Sequence, residues 1–202
     1  MLLALSLFCL VASITPGPNN MMLLSSGATF GFRRTIPHMI GITGGCVVMA
    51  LIVGWGLGGV ARELPRFHAA LHISASVYLL WLAWRIATSA GLQEAATNAK
   101  PIGVLAAAAF QWVNPKAWAM IMGAIVSFSR PESAANDALI LSFVLVLVGM
   151  PSIMLWAAGG SFLRRFLDRP KILGAFNWTM ASLLVLSLLP GWWELLAPGR
   201  SI

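Results

Sequence analysis

The sequence predicts an all-α integral membrane protein whose six transmembrane helices form two inverted three-helix repeats, with helices 1 and 4 broken. Composition is the first indication, because 59% of the 202 residues are hydrophobic and only 9% are charged, against roughly 25% charged residues in soluble domains. The second is that the apolar residues fall into six stretches. The third is that proline interrupts the first and the fourth stretch at corresponding places.

Each apolar stretch is long enough to cross a bilayer, whose hydrocarbon core of about 30 Å needs roughly 20 apolar residues per helix. The stretches run approximately over residues 2–25, 37–60, 67–89, 102–128, 136–160 and 172–195. They predict one transmembrane domain, 1–202, with repeat one at about 1–96 and repeat two at about 97–202. Since each repeat holds an odd number of spans, the second enters the membrane from the opposite side.

The basic residues indicate orientation rather than nucleic-acid binding, although the net charge is +7. They lie singly or in pairs between apolar stretches, and cytoplasmic loops are enriched in Lys and Arg. The odd loops hold Arg33, Arg34, Arg85, Lys100, Arg164, Arg165, Arg169 and Lys171, whereas the even loops and the C-terminus hold Arg62, Arg66, Arg130 and Arg200. We therefore expect loops 1, 3 and 5 in the cytoplasm and both termini outside.

The first break is Thr15-Pro16-Gly17-Pro18-Asn19-Asn20. Both prolines lack an N–H, and the glycine between them has access to conformations closed to other residues, so the helix is expected to unwind. Backbone freed at membrane depth is tolerated only where it is buried in protein or lines a cavity. The hydroxyl and the two carboxamides beside the prolines are therefore predicted to belong to a polar site.

The second break is formed by Gln111, Asn114, Pro115 and Lys116. Pro115 biases Asn114 away from the helical region. A cation near mid-span costs about 2.5–3.5 kcal/mol, so Lys116 marks a functional site by default. Matching breaks in two halves are typical of the substrate site of a transporter built from repeats. The plainer interpretation is that the prolines only kink the helices and the asparagines satisfy the released carbonyls.

Glycines in the second stretch form two G-x-x-x-G patterns, Gly41 with Gly45 and Gly54 with Gly58. This spacing favours close helix contact. The contact lies either within the chain or between subunits, so a homodimer through helix 2 is possible.

The sequence predicts neither a cofactor nor a metal site. Cys9 and Cys46 lie in different stretches without C-x-x-C spacing and are expected to pack inertly. His68 and His72 are four residues apart at the start of the third stretch, a spacing that suits a metal on one helix face. Since no acidic or cysteine partner is close in sequence, an interfacial pair is favoured.

Four motifs in this order resemble the LysE/RhtB family of amino-acid exporters, which are six-span proteins of about this length. The motifs are Thr15-Pro16-Gly17-Pro18-Asn19, Gly31-Phe32-Arg33-Arg34, the aromatic segment from Tyr78 to Arg85, and Asn114-Pro115-Lys116-Ala117-Trp118. The resemblance covers essentially the whole chain. It implies proton-driven efflux of amino acids or related small polar metabolites across a bacterial plasma (inner) membrane. It places function on Thr15, Pro16, Gly17, Pro18, Asn19, Asn114, Pro115 and Lys116; residue chemistry adds Asn20 and Gln111.

The chain departs from this family in its acidic residues. Many relatives carry an acid in the second or fifth span, whereas all six acids here look close to loops: Glu63, Glu94, Glu132, Asp137, Asp168 and Glu194. Proton coupling therefore falls to Lys116 or to His38, although His38 is also consistent with an interfacial residue. The same scarcity of acids favours a neutral amino acid over a dicationic one.

A zwitterionic substrate needs partners for both of its charges. We expect the helix starts after Pro18 and Pro115, with Lys116, to hold the carboxylate. The ammonium would be held by oxygens of the breaks, from Thr15, Asn19, Gln111 and Asn114 and from released carbonyls. Two alternatives stay open at this stage: export of a metal cation or other small ion on the same fold, and an intramembrane enzyme using Ser25, Ser26 or Ser161 with a histidine.

Overall fold

The computed structural model describes residues 2–57, 100–129, 133–167 and 169–186, with single positions between 73 and 88 and at 188, 189 and 192. Regular structure in these ranges is helical. The helices are α1 (Leu2–Ile14), α2 (Pro18–Phe30), α3 (Phe32–Ile52), α4 (Val104–Val113), α5 (Pro115–Phe128), α6 (Ala134–Val144), α7 (Met150–Leu163) and α8 (Pro170–Leu186).

Among the described residues, two continuous helical segments are long and apolar enough to cross a membrane. One runs from Phe32 to Gly56 and comprises α3 with a π-helical turn; the other runs from Ala134 to Phe166 and joins α6 to α7 through the π-helical turn Leu145–Gly149. The α1–α2 pair, bent by 56°, makes a third if it crosses as one span. The described helices coincide with all the predicted stretches except the third, residues 67–89, most of which lies outside the described residues.

Both predicted breaks are present. Helix α1 ends at Ile14 and α2 begins at Pro18, while α4 ends at Val113 and α5 begins at Pro115. Asn114 between them is extended, with φ −83° and ψ 108°. Gly17 has φ 177° and ψ 177°, which is extended backbone open to any residue. The expectation that this glycine supplies a special conformation was therefore wrong. A side chain at this position would instead meet the side chain of Lys116.

The glycine pattern of α3 makes its close contact within the chain. A Cβ on Gly41 would meet the carbonyl of Val104, and one on Gly45 would lie 2.7 Å from the Cα of Ala108. Both contacts join α3 to α4. Gly54 similarly packs against Ala138 of α6, whereas Gly58 lies outside the described residues. A homodimer would therefore have to use surface other than these three glycines.

A second glycine contact, which the sequence analysis did not anticipate, joins α2 to α7. A Cβ on Gly27 would overlap the backbone of Ala157, and one on Gly160 would overlap the carbonyl of Leu24. Small residues allow two backbones to approach this closely in a membrane. The contact between α2 and α7 is the most extensive of any described helix pair. It fixes α2, and with it the C-terminal side of the first break, against the fifth apolar stretch.

Candidate functional site at the two helix breaks

The two breaks meet at a cavity of about 60 Å³. The first break contributes Gly17, Asn19 and Asn20 to its wall, and the second contributes Asn114 and Lys116. This exceeds the roughly 10–15 Å³ needed for a single water, so the cavity has room for several waters. In this conformation it suits a small solute. Other cavity-lining residues include Ser13, Thr43, Cys46, Met120 and Gly149.

The carbonyls released at the end of α1 are satisfied first by local side chains. Asn20 donates its Nδ2 to the carbonyls of Ser13 and Thr15, both at 2.7 Å, and Thr15 donates its hydroxyl to the carbonyl of Ala12 at 3.1 Å. Asn20 is nearly fully buried. Its carboxamide therefore takes the places of the N–H groups of Gly17 and Asn19, which would bond these carbonyls in a continuous helix, while the Thr15 hydroxyl takes the place of the N–H that Pro16 lacks.

Two distant side chains complete this set. Trp156 of α7 donates Nε1 to the carbonyl of Ile14 at 3.2 Å. Lys116 of α5 donates Nζ to the carbonyl of Thr15 at 2.7 Å, to the Thr15 hydroxyl at 2.9 Å and to the carbonyl of Pro16 at 3.2 Å. Every carbonyl from residue 12 to residue 16 thus accepts a side-chain hydrogen bond. The carbonyl end of a helix carries a partial negative charge, so α1 and the lysine ammonium are electrostatically complementary.

Gly17 provides the space through which Lys116 reaches the first break. A Cβ on Gly17 would lie 2.7 Å from Cδ and 3.0 Å from Nζ of Lys116. Real Cβ atoms essentially never approach a carbon this closely, so any larger residue would have to displace the lysine. The glycine is needed here for room and not for backbone freedom.

A reciprocal pair of carboxamides makes a second bridge between the breaks. Asn19 donates Nδ2 to Oε1 of Gln111 at 2.8 Å, and Gln111 donates Nε2 to Oδ1 of Asn19 at 3.2 Å. Gln111 is fully buried and also donates to the carbonyl of Ala107 at 2.8 Å. Cys46 of α3 places its Sγ 3.7 Å from Gln111 Oε1. Both Cys9 and Cys46 are buried in the hydrophobic core, as expected, and Cys46 in addition lines the cavity.

The two helix starts differ in what their N–H groups contact. At α5, Oδ1 of Asn114 accepts a hydrogen bond from the backbone N–H of Lys116 at 3.1 Å, which is an N-cap. At α2 no side chain caps the start of the helix, and its first backbone hydrogen bond within the helix is donated by Met21 to Gly17. The start after Pro115 is thus capped by its own side chain, and the start after Pro18 is not. That a substrate carboxylate binds at these helix starts stays a prediction.

The structure brings all ten sequence-predicted site residues to the two breaks. Five of them line the cavity. Thr15 and Pro16 accept hydrogen bonds from Lys116, and Gln111 accepts one from Asn19. Pro18 and Pro115 begin α2 and α5. Sequence reasoning missed Trp156 and the wall residues of α3, because a single tryptophan, threonine or cysteine in an apolar stretch carries no local signal of a polar contact.

His38, the second predicted proton-coupling residue, is fully buried on α3, so its side chain faces neither lipid nor water. Neither of its ring nitrogens has a hydrogen-bond partner among the residues that the structure describes. It does not line the cavity, but Ile42, one turn further along α3, does. One turn before it, Thr35 shares a buried 3.0 Å hydrogen bond with Ser26 of α2. His38 therefore does not serve Ser26 as a base.

Among the acids, only Asp137 falls within the described residues. It lies in the first turn of α6, as expected for a loop-proximal acid, but it is nearly buried and accepts a hydrogen bond from Ser133 at 2.6 Å. It does not line the cavity. Across the described ranges no three His, Cys, Asp or Glu residues cluster as a metal site would require. Outside the described residues lie the other five acids, His68, His72, Tyr78 and Arg85.

Comparison with known proteins decides the family. The model of the LysE type translocator family matches residues 10–188. The chain belongs to this family. It is 34% identical over 160 residues to the cysteine/O-acetylserine efflux protein of Salmonella typhimurium (strain LT2), an alignment that covers 78% of this chain and 81% of that protein.

A second relative, the cysteine/O-acetylserine efflux protein of Escherichia coli (strain K12), is 32% identical over 163 residues, with the same shares covered. No solved structure matches the chain. Membership of the LysE type translocator family makes this chain a multi-pass membrane transporter, and the breaks that meet at the cavity lie within the matched residues.

Proposed function

We propose that this chain exports small neutral amino acids, or closely related polar metabolites, from the cytoplasm of a bacterium through the cavity between the two breaks. The observation that carries the proposal is Lys116, an ammonium placed on the carbonyl end of α1 beside that cavity. A charge at such a position is costly and is therefore expected to serve the transported solute. The family and the names of the two relatives support an amino-acid cargo.

The proposal includes the predicted topology. The chain crosses the bacterial inner membrane six times as two inverted three-helix repeats, with loops 1, 3 and 5 in the cytoplasm and both termini outside. Two findings support this arrangement: the breaks fall in the first and fourth apolar stretches, and the exposed Arg33 and Arg34 begin α3 as a positive loop requires.

The site offers a partner for each charge of a zwitterion. The substrate carboxylate is assigned to Lys116 and to the uncapped start of α2 at Asn19 and Asn20. Its ammonium is assigned to the oxygens at the end of α1. No described residue in the cavity wall is acidic, so a second positive charge on the cargo would find no counter-charge there. A neutral amino acid is therefore favoured over lysine or arginine.

Proton coupling is assigned to Lys116 and His38. Lys116 lies in the cavity wall, so that its charge and the substrate are directly linked. His38 is supported by its buried ring, whose two unpartnered nitrogens are unfavourable in this conformation and are expected to gain a partner in another.

The decisive experiment measures amino-acid release from cells loaded with dipeptides, comparing the wild type with Lys116→Ala at matched membrane abundance. We expect wild-type cells to release one or a few small neutral amino acids and the variant to release them at least about tenfold more slowly, which corresponds to about 1.4 kcal/mol. Lys100→Ala, which removes an exposed lysine before α4, is the matched control and should match the wild type.

Two results would contradict the proposal in different ways. If the wild type releases no amino acid faster than cells lacking the protein, the cargo is wrong, and metal cations and other small ions become the next screen. If release is normal in Lys116→Ala, the cargo is right but the assigned site is wrong.

A further inference from the structure

Lys116 in this conformation behaves as a ligand of the first break. Its ammonium is bound by three oxygens within 3.2 Å, all of them from Thr15 and Pro16. A primary ammonium has three N–H donors, so this group is fully satisfied by one set of oxygens. None of those oxygens belongs to a carboxylate, and the negative potential comes from the carbonyl end of α1. We call this set, the two carbonyls and the Thr15 hydroxyl, the oxygen cage.

The oxygen cage has the chemistry of a general site for a primary ammonium. The α-ammonium of an amino acid has the same charge and the same three donors as the side chain of Lys116. The cage is also next to the cavity, because Gly17 and Lys116 both line it. The lysine occupies the position that the proposed function requires for the ammonium of the cargo.

Resting on the proposed function, we propose that Lys116 is a tethered stand-in for the substrate ammonium and that the two exchange places during transport. The ammonium of the cargo takes the oxygen cage, and the released Lys116 pairs with the carboxylate of the cargo. Charge is conserved at each position in this exchange. The cage never stands empty of a cation, and the lysine never stands in the cavity without an anion.

The exchange explains how a site without an acid would select zwitterions. A simple amine could fill the oxygen cage, but it would leave Lys116 displaced and unpaired in a poorly solvated site, which is unfavourable. It would also compete with a tethered group, whose effective concentration is of the order of millimolar or higher. A carboxylate without an ammonium could bind Lys116 only by emptying the cage. Only a molecule that carries both charges replaces every contact that it breaks.

The exchange is tested with three probes that share a mercaptoethyl group and differ in their charged groups: L-cysteine, cysteamine, which lacks the carboxylate, and 3-mercaptopropionate, which lacks the ammonium. Binding is measured on purified protein in lipid nanodiscs under reducing conditions, from the shift in thermal unfolding and from tryptophan fluorescence. For the wild type we expect binding of L-cysteine and at least about tenfold weaker binding of the other two. For Lys116→Met, which empties the oxygen cage, we expect cysteamine to bind at least about tenfold more tightly than to the wild type.

Lys100→Met is the matched control and should bind all three probes as the wild type does. Tetramethylammonium, which has no N–H, should not bind Lys116→Met. The exchange is overturned if folded Lys116→Met binds cysteamine no better than the wild type, or binds tetramethylammonium equally well. Lys116→Ala, which also leaves the oxygen cage without a donor, replaces Lys116→Met if the latter does not fold.

The wild type alone also tests the exchange, since cysteamine that binds it as tightly as L-cysteine would show that the carboxylate is not required. Failure of the proposed function gives a different pattern. A wild type that binds none of the probes and releases no amino acid from dipeptide-loaded cells, together with a Lys116→Met variant that binds cysteamine, would exclude the proposed cargo and still support the oxygen cage as an ammonium site.

Discussion

The two helix breaks contain similar residues but are stabilised in opposite ways. The first, between α1 and α2, opens a bend of 56° and exposes five carbonyls, which are satisfied in part by Lys116 and Trp156 from distant helices. The second consists of one extended residue, Asn114, which caps the helix that follows it. The first break therefore depends on tertiary contacts, whereas the second is largely local.

This difference bears on how a transporter could move. A break satisfied by its own residues keeps its geometry whatever its neighbours do. A break whose carbonyls accept hydrogen bonds from α5 and α7 changes when those helices change position, because each donor that moves away leaves a carbonyl without a hydrogen bond. We therefore expect the first break to change its hydrogen bonds when substrate binds. We expect the second break to keep its geometry and so to act as a fixed point.

The largest effect on stability is expected for Asn20→Leu. This change removes the donor to the carbonyls of Ser13 and Thr15 in a nearly fully buried position. The Thr15 carbonyl keeps its hydrogen bond from Lys116, but the Ser13 carbonyl is left without a partner. A buried acceptor left without a partner costs about 1–3 kcal/mol, so the loss should be of this size. Reversible unfolding in detergent measures it. Asn136→Leu, outside the cavity wall at the start of α6, is the control, and a loss for Asn20→Leu no greater than the control's would show that the first break does not need this carboxamide.

Gly17→Ala should impair export about tenfold with little change in stability. The new Cβ displaces the Lys116 side chain, which passes 2.7 Å away, but the extended backbone accepts alanine. About tenfold in rate corresponds to about 1.4 kcal/mol. The measurement is a double-mutant cycle on export. Since both changes act through one side chain, Gly17→Ala should have no further effect in a Lys116→Ala background. Additive losses would instead assign Gly17 a role independent of the lysine.

The location of the first break and most of its residues could be predicted from the sequence, because proline chemistry is local. A residue without an N–H leaves a carbonyl of the preceding turn unpaired, and carboxamides beside it are expected to fill the gap. Proline alone does not end a helix, since Pro37 lies inside α3; two prolines around a glycine do. The direction of each contact could not be predicted. Whether Lys116 faces the cavity or α1 depends on how α5 packs across α1, and the partnership of Trp156 with Ile14 joins residues 142 apart.

The role of Gly17 could not be predicted from the sequence either. Its sequence setting between two prolines suggests a backbone function, and the fold gives it a steric one through a lysine 99 residues away along the chain. The glycine contact of α3 could be predicted as a contact, but its partner α4 could not, since G-x-x-x-G spacing describes one surface only.

Asn114→Ala should lower stability by about 1–2 kcal/mol, the cost of an N-cap. Asn114→Ser, which keeps an acceptor for the N–H of Lys116, should recover most of it. Because the second break is local, the bend at the first break should be unaffected, which a spin-label distance between α1 and α2 would show. A change in that distance would indicate that the two breaks are coupled and that the second is not a fixed point.

The smallest effect, and one of opposite sign, is expected for His38→Leu. The carbonyls released at the first break all accept hydrogen bonds, whereas this fully buried imidazole has no partner for either nitrogen among the described residues. An apolar side chain of similar size should therefore raise stability by about 0.5–1 kcal/mol. A transporter that retains such a group is expected to use it in another conformation, so the pH dependence of export should flatten in the same variant. Lower stability with an unchanged pH profile would show that His38 is a packing residue, and proton coupling would then fall to Lys116 alone.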